Sequence, residues 1–128
     1  MPDSEKITIN ISAVDLGKID LLVQEGLYSN RTDFIRTALR NLLDKHNLEI
    51  QQSVARHAYV IGVCSYNQAE FLKSKEKGEK LRITVLGVLS LAEDISPELA
   101  AEVIETVNVR GVFIASEAVK TILADRMK

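Results

Sequence analysis

Three features of the sequence predict an α+β chain: a lone N-terminal strand with two helices after it, then a small C-terminal α/β module with a repeated β-α unit. The first is the faultless alternation of Lys6-Ile7-Thr8-Ile9-Asn10-Ile11-Ser12, the period of two expected of a strand with one apolar face. The second is the switch at Ser12 to helical spacing, carried by Val14, Leu16, Ile19, Leu22, Val23 and Leu27. The third is a repeat with a period of about 24 residues, in which Ile83-Thr84-Val85-Leu86-Gly87-Val88-Leu89 is matched by Val107-Asn108-Val109-Arg110-Gly111-Val112-Phe113.

Each element has a local cause. Ser12 is a good N-cap for the first helix, with Asp15 in its first turn. Gly17 weakens that helix by about 1 kcal/mol relative to Ala, and Gly26 closes it as a C-terminal cap. The connector Tyr28-Ser29-Asn30-Arg31-Thr32 is rich in capping side chains. Phe34, Ile35, Ala38, Leu39, Leu42 and Leu43 then form the apolar stripe of a second helix. Asn47 either closes that helix or lies within a continuation through Ile50 and Val54. Tyr59–Val63 fits a strand or a buried helical turn, and Asn67–Lys77 reads as helix ending in a solvated charge run. Ser96-Pro97-Glu98 and Ser116-Glu117 are helix starts, each after one copy of the repeat. A glycine at the same place in both copies points to a bulge or a close backbone approach.

The expected organisation is therefore residues 1–46 as a dimerisation and binding unit, 47–80 as a helical or linker segment, and 81–128 as a β-α-β-α module for oligomerisation or for a partner or effector. At 128 residues, 46% hydrophobic and 27% charged, with two prolines, the composition is that of a folded chain. No run approaches the roughly 20 apolar residues of a membrane span, and the N-terminus has no secretory pattern. The single cysteine, Cys64, excludes an intrachain disulfide, so a cytoplasmic location is expected.

One strand cannot satisfy its own backbone hydrogen bonds, and nothing else in residues 1–46 can pair with it. A unit of that size is also too small to bury an adequate core alone. Both deficits are met if two copies pair their strands antiparallel over a shared core of Ile7, Ile9, Ile11, Phe34, Ile35 and Leu39. Lys6, Thr8 and Asn10 then face outward on a two-stranded ribbon, an element that fits the major groove of B-DNA. Asn pairs with adenine, Lys with guanine, and Thr with either or with a thymine methyl. At the start of the second helix, Asn30, Arg31 and Thr32 sit where free N–H groups and the positive dipole end favour a phosphate. The net charge of −2 argues against a general cationic field, so binding should rest on specific contacts. Arg36 and Arg40 could each meet a phosphate or pair on the helix surface, with Asp33 and Asp44 respectively; the ion pair is the expectation for Arg40, and Arg36 stays open between the two.

Residues 5–45 resemble the CopG-type ribbon-helix-helix family. The match runs through Ile7-Thr8-Ile9-Asn10-Ile11, Leu16, Ile19, Asp20, Leu22, Val23, Gly26, Tyr28, Asn30-Arg31-Thr32 and Ile35-Arg36-x-Ala38-Leu39-Arg40. It covers about a third of the chain, and it departs from the family where Ala13 replaces the proline that often opens the first helix. The resemblance implies base reading by Lys6, Thr8 and Asn10, and phosphate binding by Asn30, Arg31 and Thr32. It implies a homodimer, or a higher oligomer, on a palindromic site in double-stranded DNA, acting as a transcriptional regulator, most simply a repressor. Two other functions fit less well. An antitoxin that silences a toxin through its C-terminal part is one. The other is a self-assembling scaffold built from the β-α unit.

No catalytic constellation accompanies these features: Glu102 with Glu105, and Glu93 with Asp94, have no histidine or nucleophile beside them in sequence. His46, His57 and Cys64 do not reproduce the clustered pattern of nickel-responsive relatives. His46 reads as a helix cap and Cys64 as a small buried hydrophobe. No cofactor, metal or membrane partner is expected.

Overall fold

The computed structural model describes residues 4–127; residues 1–3 and 128 lie outside it. The chain divides into two compact units, one spanning Lys6–Ser53 and the other built on Val54–Lys128.

The first unit holds α1 (Ala13–Gln24) and α2 (Arg31–Lys45), and α3 (Asn47–His57) begins within it. The Ser12 hydroxyl accepts the Asp15 N–H at 3.1 Å, as its N-cap role requires. At the other end Gly26, at φ +84°, lets the chain turn back. Its N–H reaches the Val23 carbonyl at 3.0 Å, and that of Leu27 reaches Leu22 at 3.1 Å. Two carbonyls of the last turn are thereby satisfied. The second and third helices are distinct rather than continuous, because His46 leaves helical geometry at φ −100°, ψ 17°. Residues 6–12 form no strand, since the single chain offers them no partner.

The second unit is a three-stranded parallel sheet in the order β1 (Val60–Tyr66), β2 (Leu81–Leu91), β3 (Ile104–Ile114). Between strands run α4 (Gln68–Glu76) and α5 (Pro97–Val103), and α6 (Glu117–Ile122) follows β3. Sequential strand order with right-handed crossovers puts every helix on one face of the sheet. The core confirms this. Phe71 of α4, Leu99, Ala100 and Val103 of α5, and Val119 of α6 pack with Ile83, Val85, Leu89, Leu91 and Val107. Those sheet residues alternate along their strands, so they share a face. Phe71 is wholly buried, with its ring 5.6 Å from that of Tyr66. Burying side chains of this kind contributes about 1.5–3 kcal/mol each.

Each helix is started by a side chain. Asn67 and Glu70 form a reciprocal capping box on α4, while Ser96 and Ser116 accept from Leu99 and Val119 at 3.1 and 3.2 Å. Arg126 closes α5 from outside, donating to the carbonyls of Ala101 and Ile104. On the face away from the helices, the Asn108 amide donates to the Tyr59 hydroxyl at 3.1 Å.

The repeat of the sequence is the register of the sheet: Ile83 pairs with Val107 and so on through Leu89 with Phe113. The stretch 47–80, expected as helix or linker, also contains a third copy. Val60–Tyr66 pairs with Val85–Leu91, and Gly62 lies beside Gly87 as Gly87 lies beside Gly111. The module is therefore three β-α units in succession, not two. The three glycines take φ values of +122°, +139° and +131°, in a row across the strands. A Cβ on Gly87 would stand 2.2 Å from the Gly62 carbonyl oxygen, and one on Gly111 2.1 Å from that of Gly87. The close approach is real, and only glycine permits it.

Candidate nucleic-acid interface

The interface is built from the N-terminal segment and the junction between α1 and α2. Lys6, Thr8 and Asn10 are all exposed. The alternating isoleucines are exposed as well: Ile7 retains 77% of its accessible surface and Ile9 69%. Within Lys6–Ser53 the only buried residue is Ile19. Ile35, Leu39, Leu42 and Leu43 on α2 also remain open. A cleft of about 440 Å³ lies between Ile11, Ile19, Leu22 and Phe34. A unit with one buried side chain cannot offset the conformational entropy of ordering two helices.

The start of α2 is tightly specified. Asn30 is extended, at φ −166° and ψ 179°, and its side-chain oxygen accepts the Asp33 N–H at 2.7 Å. Asp33 reaches back to take the Ser29 N–H at 2.9 Å and the Ser29 hydroxyl at 3.1 Å. Tyr28 and Phe34 meet edge to face across the same turn, 5.1 Å between centroids. The cap occupies the amide of Asp33, which leaves the first-turn amides of Arg31 and Thr32 as the positive end of the helix. Thr32 is exposed beside them.

Arg31 has a second duty that sequence reading missed. Its Nε and Nη2 each donate at 2.8 Å to the two oxygens of Asp20 on α1. This bidentate geometry ties the helices together at the turn. The Arg31 guanidinium holds the Asp20 carboxyl below its ordinary value, and Asp20 in turn raises Arg31. In the sequence Asp20 stood out only as one of the residues carrying the family resemblance, with no role given to it; spacing alone cannot pair residues across a turn. The expected surface pair of Arg40 with Asp44 is not made, and Arg36, left open by the sequence, does not pair with Asp33. Asp33 is committed to Ser29, and the ion pairs formed by the described residues do not include Arg40. Arg36 and Arg40 are thus exposed cations on α2.

The charge balance of this unit is informative. Lys6–Ser53 carries six basic and six acidic residues, and the chain's surplus of two acids lies in Asp3 and Glu5. The N-terminal unit is electrically neutral, not acidic.

Elsewhere, His46 Nδ1 is 3.7 Å from Glu49, His57 stacks edge-on against Tyr59, and Cys64 is half-buried against the helix-side core. Among the described residues no three His, Cys, Asp or Glu side chains converge as metal ligands. No helix there is long and apolar enough to cross a membrane.

An N-capped helix pair behind an alternating N-terminal segment is the pattern of ribbon-helix-helix regulators, although the segment forms no strand in the single chain. The comparisons agree: this chain belongs to the Ribbon-Helix-Helix transcriptional regulator family, whose model matches residues 2–120. The match runs through the β-α repeats as well as the N-terminal unit. The family is one of transcription regulators and is generally non-enzymatic. The chain is also similar to the transcriptional regulator CdrS of Halobacterium salinarum. The two are 31% identical over 42 residues, 33% of this chain and 76% of that protein. No solved structure matches.

Proposed function

We propose that the chain is a homodimeric, sequence-specific repressor that reads a palindromic operator through an antiparallel two-stranded ribbon in the major groove. The observation that carries this reading is the state of Lys6–Ser53: one buried side chain, and an alternating segment over residues 6–12 that forms no strand in the single chain. A second copy supplies both deficits. Ile7, Ile9, Ile11, Phe34, Ile35 and Leu39 then form a common core, and Lys6, Thr8 and Asn10 are directed at base edges.

The two α2 N-termini bind phosphates on either side of the ribbon, through the amides of Arg31 and Thr32 with the Asn30 amide group and Thr32 hydroxyl nearby. Arg31 contributes mainly by locking that helix end to α1 through Asp20. Two guanidinium donors are already engaged there, and Nη1 remains for the phosphate. A neutral unit presents no general cationic field, and the phosphate contacts carry no sequence information, so specificity rests on the ribbon. The packed β-α unit serves oligomerisation rather than toxin capture by an unfolded tail, and the protein works in the cytoplasm.

Selecting binding sites from random DNA and measuring affinity for the selected operator tests the reading. Asn10→Ala or Thr8→Ala costs about 1–3 kcal/mol for each base no longer read, and relaxes preference at one position in each half-site. Thr32→Ala weakens all sequences evenly. If Asn10→Ala keeps both the dimer and the operator affinity of the unaltered chain, the ribbon does not read the bases.

A further inference from the structure

We propose that the β-α module joins to a second copy of itself head to tail. The outer edge of β1 in one chain pairs in parallel with the outer edge of β3 in another, continuing the glycine row from Gly111 to the partner copy's Gly62. This rests on the assignment of the module to oligomerisation and names the surface, polarity and register.

The argument begins with Gly62. It holds the same left-sided backbone, φ +122°, as the other two glycines. For Gly87 and Gly111 that conformation brings the α-carbon against the carbonyl of the preceding strand's glycine. For Gly62 a Cβ would meet nothing within 4 Å. Its geometry is that of a receiving strand with no donor strand inside the chain. The matching carbonyl is that of Gly111, which belongs to the last strand of the row.

The register fits. Val60 pairs with Val85 and Val85 with Val109, so one more step of the repeat sets Val60–Ser65 of one copy on Val109–Ile114 of the other. The β3 edge is occupied lower down, where Met127 bridges to Val107, and that bridge stops short of the stretch the junction needs. Four of the six rows would continue in kind, the glycine row included, while Arg110 would meet Ile61 and Ile114 would meet Ser65. Val63, Val88 and Val112 lie in one register line, and Cys64, Leu89 and Phe113 in the next.

Protection against edge pairing is missing where it would be expected. β1, Val-Ile-Gly-Val-Cys-Ser-Tyr, has no charge and no proline, the usual guards of an open edge. Val60, Ile61 and Val63 are each more than half exposed. The outermost helices likewise each leave a large apolar residue open, Leu72 on α4 and Ile122 on α6. In repeat architectures each unit buries its faces against the next one, and a terminal unit needs a polar cap. The β1 end of this stack has no such cap, and the β3 end is covered only beside Val107, where Met127 bridges to it.

The test uses the full chain without DNA, with mass read by light scattering and sedimentation over a range of concentrations. The unaltered protein rises above the mass of two chains, at least doubling. Val63→Lys on β1 and Val112→Lys on β3 each abolish the rise, with circular dichroism unchanged. Mixing the two variants restores it, because one keeps an intact β3 edge and the other an intact β1 edge. Gly62→Ala gives the same loss as Val63→Lys without adding a charge. An unaltered chain that stays at two-chain mass throughout overturns the proposal. So does a Val112→Lys chain that still assembles, because β1 would then pair with itself. Variants that settle at the mass of one chain overturn the N-terminal dimer instead, and leave the edge pairing supported if mixing restores assembly.

Discussion

Replacing Gly87 with alanine probes the glycine row most directly, because its cost can be worked from distances. A Cβ there would lie 2.2 Å from the Gly62 oxygen, 3.0 Å from its carbonyl carbon and 3.3 Å from its α-carbon. All three are backbone atoms of a paired strand, so relief requires β1 to move away by about 1 Å, and overpacking of this kind costs about 1–3 kcal/mol. Holding a non-glycine residue at φ +139° adds about 1–3 kcal/mol. The sum is about 4 kcal/mol, a large part of the 5–15 kcal/mol that a small domain possesses. Gly62→Ala is the internal control: it has a similar φ but no clash within the chain, so it should lose about 2 kcal/mol. Urea unfolding followed by circular dichroism, at a concentration low enough to exclude assembly, reads the difference. With a slope of about 1–3 kcal/mol per molar urea, the two midpoints should differ by about 1 M. Equal midpoints would refute the claim that carbonyl contact, rather than backbone conformation alone, selects glycine at position 87.

Ile9→Lys places a charge at the centre of the proposed ribbon core and should reduce the chain to a monomer with loss of helical signal from the N-terminal unit, measured by sedimentation and circular dichroism. The Asp20–Arg31 pair predicts an acid effect. Because Asp20 titrates below its ordinary value of 3.8 when folded, its contribution is complete above that value and is lost as pH falls through the lowered one. Asp20→Asn should therefore lower the melting temperature at neutral pH and differ little from the unaltered chain at the acid end of a pH series. A constant gap across the series would assign the role of Asp20 to packing instead of charge. The change should be small, since the pair is exposed.

Much of the molecule was legible where a local rule decided the outcome. Ser12, Gly26, Ser96 and Ser116 do what their side chains or backbone freedom dictate, and the aligned repeat proved to be the strand register itself. Of the first β-α unit the helix was legible, as Asn67–Lys77, but the strand stayed open between strand and helical turn and the unit was not recognised as a copy of the repeat, for a physical reason. β1 is an edge strand whose Val60, Ile61 and Val63 are all exposed, so its apolar residues do not alternate and the period of two is erased. The signal that could have found it was Gly62-Val63 standing before Gly87-Val88 and Gly111-Val112. At the candidate interface parity separates Lys6, Thr8 and Asn10 from the isoleucines in the sequence, while in the single chain both sets are exposed. The bidentate grip of Arg31 on Asp20 was not legible, because it crosses a turn between two helices. Nor was the choice of Asp33 for Ser29 over Arg36, which depends on the N-cap geometry of Asn30.

The direct clash in the glycine row runs one way, from each glycine to the carbonyl on its β1 side, and this makes tolerance to mutation a property of rank instead of residue. Within one chain the first glycine of the stack escapes the steric constraint, and every later one bears it. If β1 were moved to follow α6 and docked on the outer edge of β3 instead of on β2, that freedom would pass to Gly87 and the constraint to Gly62. The same three residues would exchange their sensitivities with no change in composition.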